Sequence, residues 1–133
     1  MYFKLAENEI INLYGNGSDE HISVLYTLID EYLGAKQIEK ALDNIDLIDS
    51  YLSKQPSDSI DYMVFLRTSA EVLKDAHIID DSIRYYQKLK GEAARIYGND
   101  SEFFAQVLIE VSKIYIESGD FLSAIEYLTD AKL

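Results

Sequence analysis

Two histidines are the side chains of this sequence that come closest to a chemical site. Neither His21 nor His77 has a second histidine or an acid at the spacing that a metal site or a catalytic pair requires. The sequence has no cysteine, and it lacks a zinc-binding His-Glu-x-x-His motif, a glycine-rich phosphate loop and a nucleophile elbow. We therefore expect both histidines to be ordinary surface or turn residues. We expect no enzyme activity and no catalytic, cofactor or metal residues.

A row of aspartates is the second candidate. Asp43, Asp46 and Asp49 follow one another at three-residue intervals along a predicted helix. They could form a cation site or a contact for a basic peptide, but a solvated helix face is the interpretation we favour. Residues 16–18 and 99–101 are formally acceptors for N-glycosylation. Their Asn and Ser residues fit helix capping better.

The charge of the chain restricts its partners. Acidic residues outnumber basic ones 24 to 12, which gives a formal net charge of −12. Nucleic acids and anionic membranes attract Lys and Arg, so neither is expected to bind. A basic protein partner stays possible. No apolar run of membrane-spanning length occurs, and acids stand where a signal peptide needs an apolar core, so we expect a cytoplasmic protein.

The composition favours a single all-α domain. The chain has 133 residues, 48% of them hydrophobic, with one proline and six glycines. Long stretches therefore contain nothing that would break a helix.

An internal repeat organises these helices. Segment 13–18 recurs as segment 96–101. The same register, without gaps, pairs Tyr2 with Tyr85, Tyr32 with Tyr115 and Ala41 with Ala124. A shift of about half the offset between these two segments aligns Leu25 with Leu66, and a second shift of nearly the same length aligns Leu66 with Leu108. A unit of about 42 residues is therefore present in three copies.

Each copy reads as two helices joined by a short turn. In the third copy, apolar residues recur at spacings of four, three and four, and Gly119 suits the left-handed end of that helix. A second helix follows, with these residues on its predicted inner side: Phe121, Ala124, Ile125, Leu128 and Ala131. Asn99 and Glu102 form a predicted capping box before the copy begins.

This pattern resembles the tetratricopeptide repeat, in its long kinesin-light-chain-like variety of about 42 residues. The third copy carries the resemblance best, through Leu108, Val111-Ser112, Tyr115, Gly119-Asp120-Phe121, Ala124, Leu128 and Ala131. The first copy departs from the pattern at Ile29 and Ile48, the second at Leu73 and Ser82, and the family's proline after the second helix is missing. The resemblance implies a short right-handed α-α superhelix of antiparallel hairpins.

The domain organisation follows from the repeat. Residues 1–15 correspond to the second-helix half of a preceding repeat, followed by repeat 1 (16–56), repeat 2 (57–98) and a truncated repeat 3 (99–133). Together they form one domain. Because the chain opens and closes within a unit, we expect either a piece of a longer array or a small protein capped by another copy.

The resemblance also implies a binding surface, because first helices of this class line a concave groove. The residues it indicates are Tyr26, Asp30, Leu33, Arg67, Glu71, Lys74, Ile109, Lys113 and Ile116. Such a groove suits an extended peptide or an amphipathic helix of a protein partner. The family's carboxylate clamp has no counterpart, which disfavours binding of chaperone tails.

Two other functions stay open. The chain could be a regulatory or sensor module of a larger protein, or a structural piece that self-associates into a homo-oligomer through exposed repeat ends. A non-catalytic scaffold for protein binding is the function that we favour.

Overall fold

The computed structural model describes residues 2–54 and 60–130, with side chains described for 7–54 and 61–129. All regular structure within these residues is helical. The helices are α1 (Tyr2–Tyr14), α2 (Asp19–Gly34), α3 (Ile38–Leu52), α4 (Ile60–Asp75), α5 (Ile79–Tyr97), α6 (Glu102–Glu117) and α7 (Phe121–Asp130). The predicted fold class, an all-α repeat of the α-α superhelical type built from antiparallel hairpins, is confirmed.

The chain divides into two compact units, residues 1–57 and 58–133. In the first unit α2 packs against both α1 and α3. In the second unit α4 packs on α5, α5 on α6 and α6 on α7. The repeat boundaries given above stay a prediction.

Burial follows the repeat register. Leu25, Leu66 and Leu108, which the repeat aligns, are all 0% exposed. The small residues aligned on the second helices are also buried: Ala41, Ser82 and Ala124. Two helices approach closely only where a side chain is this small. The Ser82 hydroxyl donates to the carbonyl oxygen of Ala70 at 2.6 Å, so serine replaces alanine here without leaving a buried hydroxyl unsatisfied.

The helix starts of α2 and α6 have the same cap. The hydroxyls of Ser18 and Ser101 each accept the backbone N–H three residues on at 3.1 Å. Each also donates to the glycine carbonyl three residues before it at 2.9 Å. The predicted capping box at Asn99 is wrong by two residues, because Ser101 is the residue with extended backbone from which a side chain reaches the first turn.

The three hairpin turns share one backbone conformation. Lys36, His77 and Gly119 have φ values of 59°, 63° and 86°. In each turn the residue that follows donates its N–H at 2.8 Å to the carbonyl five residues before it, which is a Schellman motif. His77 is therefore a turn residue, as expected. It has the left-handed backbone conformation, which strains every residue except glycine, so among the three equivalent residues only Gly119 adopts it without strain.

Two polar residues expected at the surface are buried instead. His21 is 1% exposed. Its Nδ1 accepts the Gly17 N–H at 3.0 Å, and its ring lies 5.6 Å from that of Tyr51. The repeat places His21 where Phe104 stands two copies later, a buried position at the first turn of a helix. Asp49 is 9% exposed, so only Asp43 and Asp46 belong to the solvated face.

The predicted inner side of α7 is partly wrong. Ala124 is 2% exposed, but Phe121 and Ile125 are 60% and 59% exposed. Leu128 is half-buried, and Ala131 lies outside the described residues. Because α7 packs mainly on α6, one of its sides stays in contact with solvent.

Candidate partner-binding surface

An ion pair joins the two first helices of the second unit. Arg67 of α4 binds Glu110 of α6 with its Nη2 on one carboxylate oxygen and its Nε at 3.4 Å from the other. The two side chains are only 33% and 30% exposed. A forked contact between half-buried side chains holds both in one orientation. The pair therefore links α4 to α6 at this position.

Two further groups surround the same guanidinium. Its carbon atom lies 5.6 Å from the centre of the Phe103 ring. A Glu71 carboxylate oxygen lies 4.0 Å from Arg67 Nε. One guanidinium therefore balances two carboxylates, which leaves an excess of negative charge at this point. A carboxylate of a partner would have to displace Glu110 before it could bind the guanidinium of Arg67.

A buried phenol belongs to the same cluster. Tyr86 of α5 is 2% exposed. Burial, followed by the negative charges of Glu110 and Glu71, raises the pKa of its hydroxyl to about 12, while Arg67 acts in the opposite direction. The hydroxyl stays neutral at physiological pH, and it lies close enough to Glu110, Glu71 and Arg67 for their charges to shift its pKa.

The other predicted residues of this unit lie on the same helices. Arg67, Glu71 and Lys74 follow one another at intervals of four and three residues, as do Ile109, Lys113 and Ile116, so each set occupies one side of its helix. Glu71, Lys113 and Ile116 are exposed, whereas Lys74 and Ile109 are half-buried. We call these six residues the α4–α6 face. It combines exposed charges with an exposed isoleucine.

The predicted residues of the first unit all lie on α2. Asp30 is exposed, and Tyr26 and Leu33 are half-buried. Burial raises the pKa of the Tyr26 hydroxyl. Their membership in a common binding site with the α4–α6 face stays a prediction.

Sequence reasoning missed three members of the cluster. Glu110 occupies the repeat position held by Thr68 in the preceding copy, so neither the repeat nor the family pattern marks it. Tyr86 lies on the apolar side of its helix and no pattern marks Phe103, so the sequence does not indicate that either residue lies near an ion pair. The sequence holds one signal for the ion pair: Arg67 and Glu110 have opposite charges, and they are separated by one repeat plus one residue.

Within residues 2–54 and 60–130, no group of three His, Cys, Asp or Glu side chains could hold a metal ion. No helix in those ranges is both long enough and apolar enough to cross a membrane.

The comparisons with known proteins bear on the fold. No protein-family model and no curated protein matches the chain. Among solved structures, it is similar to BtubC (BKLC) from P. vanneervenii, with a TM-score of 0.67 and 15% sequence identity. The match covers 98% of this chain and 53% of that one, so the chain spans about half the length of its structural neighbour. At this identity the likeness shows the fold alone.

Proposed function

We propose that this protein is a non-catalytic scaffold of the tetratricopeptide-repeat class, in its long kinesin-light-chain-like variety. It binds a peptide or helix of a protein partner along its first helices. The repeat of about 42 residues and the stacked hairpins support this class. The role needs no cofactor. The cytoplasmic setting expected from the sequence is part of the same proposal.

The α4–α6 face is the observation that carries the proposal. The half-buried Arg67–Glu110 pair links the two helices beneath this face. Glu71, Lys113 and Ile116 are exposed on the same helices. Polar and apolar side chains are thus presented together, as in a surface that binds a peptide or a helix. Tyr26, Asp30 and Leu33 of α2 are the partner-binding residues that we propose for the first unit.

The charge of the chain indicates the kind of partner. The net charge of −12 of the whole chain favours a partner that carries Lys or Arg, whereas the binding surface itself mixes three basic residues with the carboxylates of Glu71 and Glu110. The same charge opposes nucleic acid and anionic membranes as partners.

Affinity capture with a charge-swapped variant tests the proposal. Glu71→Lys combined with Lys113→Glu reverses the exposed charges while the net charge stays the same. We expect partners captured by the unaltered chain, measured by quantitative mass spectrometry, to be depleted at least about tenfold, because wrong charge pairs across an interface cost several kcal/mol.

The matched control carries the same exchange away from this face. Glu39 is exposed on α3, and Lys54 is exposed just after that helix. Glu39→Lys with Lys54→Glu should leave capture unchanged. Equal capture by both double variants would exclude the α4–α6 face as the binding surface.

A further inference from the structure

The turn before α2 and the turn before α6 occupy the same place in the repeat but differ in backbone conformation. In each turn the serine N–H donates to the glycine carbonyl three residues before it, at 3.4 Å for Ser18 and 3.3 Å for Ser101. Gly17 has a φ of 79° and Asn16 has no positive φ, which together define a type II turn. Asp100, the counterpart of Gly17, has no positive φ. The central peptide of the turn is therefore turned over in the first copy only.

His21 accounts for this difference. Its Nδ1 accepts the Gly17 N–H at 3.0 Å, and its ring is 1% exposed. Phe104, which stands in place of His21 in the third copy, has no hydrogen-bond acceptor on its side chain. Gly17 is restricted further, because a Cβ atom at this position would lie 2.9 Å from a carbon of the Tyr51 ring. The peptide between Asn16 and Gly17 is thus held by a hydrogen bond that Phe104 cannot make.

Asn16 and Gly17 form the residue pair in which asparagine loses its side-chain amide most readily. The Gly17 nitrogen gives up its proton and attacks Cγ of Asn16, and ammonia leaves as the bond between Cγ and Nδ2 breaks. Water then opens the resulting succinimide ring at either carbonyl, which yields aspartate or isoaspartate. Glycine favours the reaction because it has no side chain to hinder ring closure. Asn16 is exposed, so water reaches it.

The turn opposes this attack as long as the Gly17 N–H is bound. Ring closure requires the Gly17 nitrogen to rotate towards Cβ of Asn16, whereas the ψ value of a type II turn directs that nitrogen away from Cβ. The peptide must therefore turn over before the ring can close. That movement breaks the hydrogen bond to His21 Nδ1.

We propose that Asn16 is a deamidation site and that His21 limits its rate by holding the Gly17 N–H. His21 is a positioning residue in this reaction, because it orients the attacking nitrogen and takes up no proton. Both products place a carboxylate just before α2, and isoaspartate also adds one atom to the backbone between α1 and α2. The site is independent of the α4–α6 face.

Peptide mapping by mass spectrometry tests the role of His21 in the whole chain, incubated at mildly alkaline pH. We expect His21→Phe to form aspartate and isoaspartate at Asn16 about two- to tenfold faster, which is the factor that corresponds to the loss of one hydrogen bond. Phenylalanine is the residue of the third copy at this position, so the fold should be retained. His21→Asn should restore the slow rate, because its carboxamide oxygen can accept the Gly17 N–H. Circular dichroism verifies the folding of each variant.

The third copy offers a matched control. Asp100→Gly creates the same residue pair at Asn99, in a turn with the same serine cap but without the histidine. We expect Asn99 of this variant to deamidate about two- to tenfold faster than Asn16 of the same molecule.

Four outcomes would overturn the proposal. Equal rates at Asn16 in the unaltered chain and in His21→Phe would show that His21 does not control the reaction. A slower rate in His21→Phe would make His21 a general base instead. No product at Asn16 in His21→Phe would show that Asn16 is not a deamidation site. Asn99 that reacts no faster than Asn16 in Asp100→Gly would show that the two turns are equally protected without the histidine.

Discussion

The hairpin α2–α3 of the first unit and the hairpin α4–α5 of the second have one framework and two different surfaces. Leu25 and Leu66 fill the same buried position, and both turns hold a residue with positive φ. Where the first hairpin buries Ile45, the second buries Tyr86 beside an ion pair. The repeat thus determines the backbone and the core of each hairpin. The polar side chains around that core differ between copies.

The largest expected effect tests whether the copies are equivalent in their core. Leu66→Ala should lower the free energy of unfolding by about 2–5 kcal/mol, because it leaves a cavity at a fully buried site. Leu25→Ala and Leu108→Ala should cost a similar amount. Urea unfolding followed by circular dichroism measures all three. Val64→Ala is the control, since Val64 is 58% exposed.

Tyr86 sharpens the difference between the two hairpins. The pKa of Tyr86 in the folded state lies above its unfolded value near 10. The stabilisation that the neutral hydroxyl contributes to the free energy of unfolding is therefore fully present below pH 10, and it is lost as the pH rises through about 12. A shift of this size corresponds to about 2–3 kcal/mol. Unfolding midpoints measured from pH 9 to 12 should fall more steeply for the unaltered chain than for Tyr86→Phe. Parallel curves would contradict the buried phenol.

For the Arg67–Glu110 ion pair near Tyr86, we expect a smaller effect on the free energy of unfolding. A double-mutant cycle with Arg67→Met and Glu110→Gln should give a coupling of about 0.5–2 kcal/mol, because the pair is forked and half-buried. The coupling should decrease in high salt. Zero coupling at low salt would show that the pair does not hold α4 beside α6.

The hairpin turns give the smallest effects. Lys36→Gly and His77→Gly should each raise the free energy of unfolding by about 0.5–1 kcal/mol, because glycine adopts positive φ without strain. Gly119→Ala should lower it by about 1 kcal/mol. Gly34→Ala is the matched control: Gly34 also has open space around its Cβ position, but its φ is not positive. Stability that falls in Gly34→Ala as much as in Gly119→Ala would contradict this account.

Much of the fold could be predicted from the sequence, because the register of the repeat aligns the side chains that the structure buries. Leu25, Leu66 and Leu108 carry that alignment. What could not be predicted depends on contacts that no pattern records. The ion pair between Arg67 and Glu110 needs two helices at one spacing. The exposure of Phe121 depends on what packs beside α7.

Local details failed for a related reason. Asn99 and Ser101 are both good capping residues, and only the backbone decides which one caps α6. His21 is a polar residue at a position that Phe104 fills in a later copy, so its residue type indicated the surface while its position required burial. The α2 residues predicted to bind partners are still to be tested.

A crystal structure of the chain tests the central claim most directly, through superposition of hairpin α4–α5 on hairpin α6–α7. We expect Leu66 to fall on Leu108 and Ser82 on Ala124, with His77 and Gly119 both at positive φ. Helices gathered into a closed bundle, or hairpins that superpose only in another register, would contradict a repeat of about 42 residues as the basis of this fold.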